Sequence, residues 1–378
     1  MEPTNRLYDQ LFDGYDRRVR PIANQSQPLR LVVFPQVLRI VKLDGASQQF
    51  VWSATLTAHW VDESLQWRPD DHGGVQVLSI PKEYLWIPDI TFSQTVMVED
   101  AIQSTPNYVI VNYTGGVDYT TAATVYTHCD FKAAYFPFDW QNCSVNIETW
   151  MHTTQQIEVE AWPANVDNYA ASQEWKLVSV EKSHRTLAHS GNLFREIYYF
   201  IVVQRRPKFF LLHTVVPSFI ITQLSLAGVF SPTTGDQHER VEKMTIGLTS
   251  LLTMSVLLLM ISDKLPHTQT TPLLSTMVTF EILLAAVSTL LTAGLLHYHR
   301  GLMRANKSSS SANMAVVRQS PTSLGPGEQK NENCDNRKVI EERLQWLDRV
   351  ELACLVGTSL LHALVIGASL AVGYANMY

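Results

Sequence analysis

Six residues between Lys243 and Asp263 fall at helical spacing: Thr245, Thr249, Leu252, Val256, Leu259 and Asp263 follow one another at intervals of 4, 3, 4, 3 and 4. On a helix these positions share one stripe. The stripe is polar at the Lys243 end, bulky and apolar in the middle, and acidic at the far end. It is carried by the 19 uncharged residues from Met244 to Ser262, about the length that crosses a bilayer as a helix. A lipid-facing helix has no use for such a gradient, whereas a helix lining a water-filled pore does. A buried helix whose threonines bond their own backbone is the competing reading.

The elements that must position this stripe emerge from the rest of the chain. Its 378 residues are enough for two or three units, and a mean hydropathy near zero hides an asymmetry between the halves. Residues 1 to 208 are mixed and rich in Trp, Tyr and Asp. Beyond them lie four long stretches almost free of charge: Phe209 to Gly235, Met244 to Ser262, Leu265 to Leu296 with only Glu281 charged, and Leu352 to Tyr378. Each is long enough to cross a membrane, and they are called M1 to M4. A net charge of -6 with no basic stripe speaks against a nucleic-acid partner.

The chain starts MEPTNRLYDQLFDGYDRR, without the apolar run of a secretory signal. Four spans nevertheless require the polar half to reach the outside. The expectation is a natural signal already removed, with Met1 a mature or engineered start. The sequons at Asn24, Asn112 and Asn142 agree with an exterior location, whereas Asn306 would face the cytoplasm and stay silent.

Residues 1 to about 20 have the spacing of one short amphipathic helix (Leu7, Leu11, Phe12). From Leu29 to Arg205 strand-like runs alternate with the turn signals DDHGG, YTGG and HSGN, indicating an all-β immunoglobulin-like sandwich. Arg205-Arg206-Pro207-Lys208 ends that pattern at the membrane boundary, and M1 contains Pro217. The predicted organisation is a multi-domain membrane protein. It places an extracellular sandwich over 1–208, M1 to M3 over 209–300, a cytoplasmic segment over 301–350, and M4 with a short tail over 351–378. The first part of the cytoplasmic segment, KSSSSANMAVVRQSPTSLGPGEQKNENCDN, is predicted disordered, and KVIEERLQWLDR helical.

Two cysteines lie in the polar half, Cys129 and Cys143. A bridge between them would close a small loop on the oxidising side, where disulfides persist, whereas Cys334 and Cys354 fall where they are rare. The loop is CDFKAAYFPFDWQNC, with Phe136-Pro137-Phe138-Asp139 inside. Together with the run Trp86-Ile-Pro88-Asp89, the Trp60 to Trp67 spacing and four spans with a Thr/Leu-striped second helix, it resembles the Cys-loop receptors, pentameric ligand-gated ion channels. VEKMTIGLTSLL at the start of M2 and SDKLP after it are similar to the nicotinic, cation-selective members.

The resemblance implies a plasma-membrane, multi-pass protein with its N-terminal domain extracellular, sites for a small-molecule agonist between subunits, and a central pore of five M2 helices. Glu242 and Asp263 then form carboxylate rings at the two mouths, which concentrate cations. Leu252, Val256 and Leu259 form apolar constrictions, and Thr245 and Thr249 hydroxyl rings. At the ligand site Trp150 matches the central tryptophan of an aromatic box, and Phe194 one late-loop aromatic. Ser93 stands where a tyrosine is expected, with Phe92 beside it, and Leu187 replaces another. Thr55 occupies the position of a complementary-face tryptophan, with Trp52 close by. So few ring faces predict weak binding of a quaternary amine. His152, His184 and His189 fall in the same loops, which permits pH modulation. For coupling, Asp139, Arg205, Arg206 and Lys264 carry opposite charges toward the junction, with Arg206 and Asp139 the pair to test. Gly45 stands where the resemblance implies an acid in the β1–β2 turn, with Asp44 beside it.

Glu281, some way into M3, is an intramembrane carboxylate that must face protein or water, with Ser255 on M2 a candidate partner. No nucleophile–base set or phosphate loop argues for an enzyme, His297 and His299 are poorly spaced for a metal, and no cofactor is expected. The chain is therefore read as a subunit of a cation-selective pentameric channel, with other subunits, agonist and lipid as partners. The alternative is an accessory, non-conducting subunit with a degenerate site.

Overall fold

The computed structural model describes residues 3–93, 95–100, 108–231, 237–265, 270–319 and 328–377. The chain divides into two compact units, Met1–Lys132 with Asp139–Arg206, and Ala133–Phe138 with Pro207–Tyr378.

The first unit opens with a helix, α1 (Pro3–Phe12), followed by β1 (Leu29–Asp44), β2 (Gln49–Gln66), β3 (Val77–Pro81), β4 (Ile90–Ser93), β5 (Thr95–Asp100) and β6 (Tyr108–Asn112). Then come β7 (Thr114–His128), β8 (Trp140–Thr149), β9 (Ile157–Ala161), β10 (Trp175–His189) and β11 (Asn192–Arg205). One sheet runs β3-β6-β7-β2-β1-β9 with β5 also on β7, and the other runs β10-β11-β8-β4. Period-two alternation builds this core. Along β2, Trp52, Ala54, Leu56, Ala58 and Trp60 point inward between the polar residues Ser53, Thr55, Thr57 and His59, and Val145, Ile147, Ile197 and Val203 are fully buried positions of β8 and β11. The β10–β11 hairpin closes through Ser190 and Gly191, at φ 50° and 81°. Positive φ at both central residues is the turn that matches strand twist, and glycine takes it without strain. Cys129 and Cys143 form a disulfide across the end of β7 and the start of β8.

The second unit is helical. α2 (Lys208–Phe210) leads through a π-helical turn, Leu211–Val215, into α3 (Val216–Val229). Pro217 has no N–H for the carbonyl four residues back, and the ladder widens just before it. α4 (Gln237–Ser262), α5 (Leu273–Gln319) and α6 (Glu328–Ala375) follow. Among the described residues, four segments are long and apolar enough to span a membrane: Lys208–Val229, Val241–Ser262, Leu273–Arg304 and Val339–Ala375. Small side chains let these helices close up. The hydroxyls of Ser225 on α3 and Ser250 on α4 are 2.8 Å apart. A Cβ on Gly247 would come within 2.4 Å of Thr289 Oγ1 on α5. The 133–138 segment joins this unit through its backbone: Leu273 and Leu274 N–H groups donate to Ala134 and Phe136 carbonyls at 2.9 and 3.2 Å. These two donors at the first turn of α5 have no partner within the helix, and the segment supplies one.

Two expectations are corrected. The Ser-rich stretch read as disordered is α-helical through Gln319 and again from Glu328. Alanine, methionine and arginine extend the helix started by M3, and the Pro and Gly that argued for disorder cluster beyond Gln319. The N-terminal helix ends at Phe12, before Gly14 with its positive φ, rather than near residue 20. Pro266 and His267 lie outside the described residues, as do the side chains of Glu239, Arg240, Asn306 and Cys334.

Candidate functional site

α4 carries two opposed stripes. Lys243, Gly247, Ser250, Met254 and Ile261 are buried against the neighbouring helices, and Lys243 Nζ donates to the Ser231 carbonyl. On the other side Thr245, Thr249, Leu252, Val256, Leu259 and Asp263 are all exposed, Leu252 by 67% and Leu259 by 63%. Glu242 is exposed too and precedes Thr245 by three residues, so it extends the stripe by one helical step. The threonine hydroxyls do bond backward, Thr245 to the Val241 carbonyl at 2.7 Å and Thr249 to the Thr245 carbonyl at 2.8 Å. The bonding anticipated for a packed helix therefore coexists with the exposure a pore lining needs. Each hydroxyl spends its hydrogen on the backbone and keeps oxygen lone pairs for the open side. Lys264, one residue past Asp263, is exposed as well.

In the sandwich unit, Trp150 follows β8 and is 66% exposed. Asp89 fixes its loop: the Asp89 carbonyl accepts from Trp150 N at 3.1 Å, and its carboxylate accepts from Met151 N at 2.6 Å and pairs with His152 Nδ1 at 2.6 Å. Phe194 faces Leu187 across the β10–β11 hairpin, both partly exposed, and Thr55 lies on β2 with its hydroxyl 3.4 Å from Gln36 Oε1.

Phe92 and Ser93 are corrected by their burial. Phe92 packs edge-on against Trp52, ring centroids 6.0 Å apart, inside the sandwich, and Ser93 is equally enclosed. The alternation that sends Trp52 inward also removes it as a complementary-face aromatic. Trp60, Trp67 and Trp86 are core residues. His184 and His189 lie opposite Ile197 and Asn192 on the hairpin, and the loop of His152 reaches the same hairpin where Thr154 N donates to the Leu193 carbonyl at 2.8 Å.

A polar group beneath the hairpin escaped the sequence reading. Glu196 lies opposite Glu148 across β11 and β8 and opposite Arg185 across β10 and β11. Its Oε2 accepts from Arg185 Nη2 at 2.9 Å and from Tyr198 Oη at 2.6 Å. Burial and the Glu196 carboxylate hold the Tyr198 hydroxyl up at about 12. Burial likewise raises Glu148 above the usual carboxylate range, and the Glu196 charge adds to it. The available signal was the outward alternation of Glu196 and Tyr198 in REIYYF.

At the end of β11, Arg205 is buried. Its Nε donates to Asp139 Oδ1 at 2.8 Å, Nη1 to Glu174, and its guanidinium stacks 4.0 Å from the Trp175 ring. Arg206 points to solvent, so Arg205 replaces it as the partner of Asp139. Arg205 is the last residue of β11 and Arg206 lies just beyond the strand. Asp44 serves its own turn, accepting from Lys42 Nζ at 2.6 Å and Ala46 N at 3.0 Å, and the Lys42 ammonium lowers its carboxyl. Asn24 and Asn142 are exposed, whereas Asn112 Oδ1 accepts from Thr114 N and Gly116 N.

Residues 4–207 match the family model of the neurotransmitter-gated ion-channel ligand binding domain, and residues 214–359 that of the neurotransmitter-gated ion-channel transmembrane region. The chain belongs to the neurotransmitter-gated ion-channel family. It is a Cys-loop receptor subunit with an extracellular N-terminal domain and four membrane-spanning helices, in a family of channels rather than enzymes. Family members assemble as multi-subunit channels. The proton-gated ion channel subunit pbo-6 of Caenorhabditis elegans is 31% identical over 70% of this chain and 63% of its own length. The acetylcholine receptor subunit alpha-type acr-5 of the same organism is 30% identical over 78% of this chain and 52% of its own length. The human neuronal acetylcholine receptor subunit alpha-3 is 26% identical over 79% and 59%. This Cys-loop subunit thus matches less than two thirds of the length of each of these relatives.

Proposed function

We propose that the chain is one subunit of a pentameric, cation-selective channel opened by an extracellular small molecule bound between subunits. The exposed α4 stripe carries this reading. Seven positions from Glu242 to Asp263 recur at helical intervals and lie open, while the opposite face of the same helix is packed. An open apolar-centred stripe on a membrane helix is satisfied by copies of itself around an axis. Five copies place carboxylate rings from Glu242 and Asp263 at the mouths, hydroxyl rings from Thr245 and Thr249, and apolar rings from Leu252, Val256 and Leu259 that block ions by dewetting.

Trp150, Phe194, Leu187 and Thr55 form the candidate ligand surface, to which Tyr198, Glu148 and Glu196 are added. One exposed indole two residues past Glu148 favours a cationic ligand, with the Glu148 carboxylate adding charge to a ring face. Two of the relatives are acetylcholine receptor subunits and one is proton-gated. The inward placement of Phe92 and Trp52 favours a second reading, an accessory subunit with a degenerate site. Asp139, Arg205 and Lys264 are assigned to coupling, with Arg206 peripheral, and the three sequons and lipid contact to the plasma membrane setting.

Voltage-clamp recording of the chain expressed alone, with an amine panel and pH steps, separates the two readings. Robust cation current eliminates the accessory one, and silence together with rescue by a co-expressed subunit eliminates the homomeric channel.

A further inference from the structure

The helical unit holds a polar knot that the channel reading does not use. Glu281 lies eight residues into α5 and is fully buried, as is His362 on α6. Ser255, the partner considered from sequence, bonds its own Leu251 carbonyl instead. Glu281 Oε1 is 3.0 Å from His362 Nε2 and 3.4 Å from Ser218 Oγ on α3. Glu281 Oε2 is buried without a hydrogen-bond partner. On the far side of the imidazole, Gln223 Nε2 on α3 lies 2.7 Å from His362 Nδ1, and Phe219 stacks on the ring at 4.9 Å.

Among the described residues, the other ionisable groups of the membrane-spanning helices lie elsewhere. From α3 the partners are Ser218 and Gln223, neither ionisable. The α4 run Met244 to Ser262 contributes no ionisable side chain, and Glu281 is the only one from Leu273 to Leu296. On α6, Cys354 packs in the Leu226–Phe230 cluster and Tyr374 against Phe138. His213 bonds the Phe209 carbonyl and Lys243 the Ser231 carbonyl. Glu351 is eleven residues before His362, about 16 Å along the helix, and His299 eighteen after Glu281, about 27 Å.

The arrangement accepts protons without repacking. With the amide nitrogen of Gln223 donating to Nδ1, the ring hydrogen sits on Nε2 and points at Glu281 Oε1, and with that carboxyl ionised the knot carries one negative charge. Turning the amide by half a rotation presents its oxygen instead, which accepts from a protonated Nδ1, and only the amide nitrogen and oxygen exchange places. One added proton converts a buried net charge into a neutral pair, and buried net charge is what low-dielectric surroundings penalise most. The pair ties α6 to α5 directly, and through Gln223 and Phe219 to α3, beside the apolar contacts of Cys354 and Leu355.

We propose that Glu281, His362 and Gln223 form a proton-binding site inside the helix bundle, whose occupancy sets how firmly α6 is held and hence how readily the subunit opens. The consequence for opening rests on the channel reading above, and the site itself rests on the geometry alone.

The test uses the full chain in lipid nanodiscs, with thermal unfolding midpoints measured from about pH 5 to 8, the range in which histidine titrates. Wild type is compared with Glu281→Gln, His362→Gln and Gln223→Leu, and the same proteins are recorded under pH steps. Each variant is expected to flatten the wild-type profile, removing a midpoint change of about 2–4 °C. Unchanged profiles in both His362→Gln and Glu281→Gln overturn the proposal. Should Glu281→Gln fail to fold, unchanged profiles in His362→Gln and Gln223→Leu overturn it equally. Flattened profiles without current from any protein uphold the proton site while removing its role in opening, which separates its failure from that of the channel reading.

Discussion

Arg205 Nε donates to Asp139 Oδ1 at 2.8 Å with both side chains buried, and the Asp139 carbonyl also accepts from Arg205 N at 3.1 Å. Gln141 Nε2 supports the same carboxylate at 2.6 Å. Removing one partner strands a charge away from water, at a cost of about 3–5 kcal/mol. Asp139→Ala should therefore sharply lower thermal stability and surface expression of the full chain, whereas Arg206→Ala should leave both near wild type. Equal losses in the two variants would show that the exposed arginine had been wrongly set aside.

At the proposed inner mouth, Glu242→Ala should shift the reversal potential under a salt gradient toward that of a less cation-selective pore. An unchanged reversal potential in a conducting variant would leave Glu242 an interfacial charge with no part in selection.

Leu252→Ser wets an apolar ring and should ease opening, moving the half-maximal agonist concentration down by about tenfold, or about 1.4 kcal/mol. A variant with the wild-type concentration dependence would make Leu252 a packing residue.

Gly373 has no room for a side chain: an added Cβ would meet the Phe138 ring at 2.3 and 2.5 Å. Gly373→Ala should cost about 1–3 kcal/mol through overpacking. The double variant with Phe138→Leu should recover part of that loss, and a cycle showing strict additivity would deny the contact. Phe138 precedes Asp139, so residues adjacent in sequence are held by different units.

Glu148 titrates above the ordinary carboxylate range because of its burial and its neighbour Glu196. A raised acid binds its proton more tightly folded than unfolded, so this group favours folding as pH falls through that window and disfavours it as pH rises. Glu148→Gln should remove that slope from the unfolding midpoint above about pH 4.5. A cationic ligand at Trp150 should bind more tightly as pH rises through the same window, and in Glu148→Gln the affinity should lose that dependence.

Much of this protein lies open in its one-dimensional pattern. Uncharged runs of bilayer length announce four spans, alternation announces the sandwich, and spacing alone isolates the stripe from Thr245 to Asp263, because these depend on local periodicity and solvent preference. Identity at a position was less informative where facing mattered. Phe92 and Trp52 have the right chemistry for a ligand box yet turn into the core, since one residue of strand phase reverses a side chain, and Arg205, at the end of β11, rather than Arg206 beyond it meets Asp139. The Glu281–His362 pair was beyond sequence reach for a different reason. The two residues stand 81 positions apart on different helices, and only the packing of α3, α5 and α6 brings their polar atoms to 3.0 Å. A long-range contact of that kind has no period to betray it. The sequence by itself determined which segments cross the membrane and which face of α4 is special, and the tertiary structure decided which charges meet.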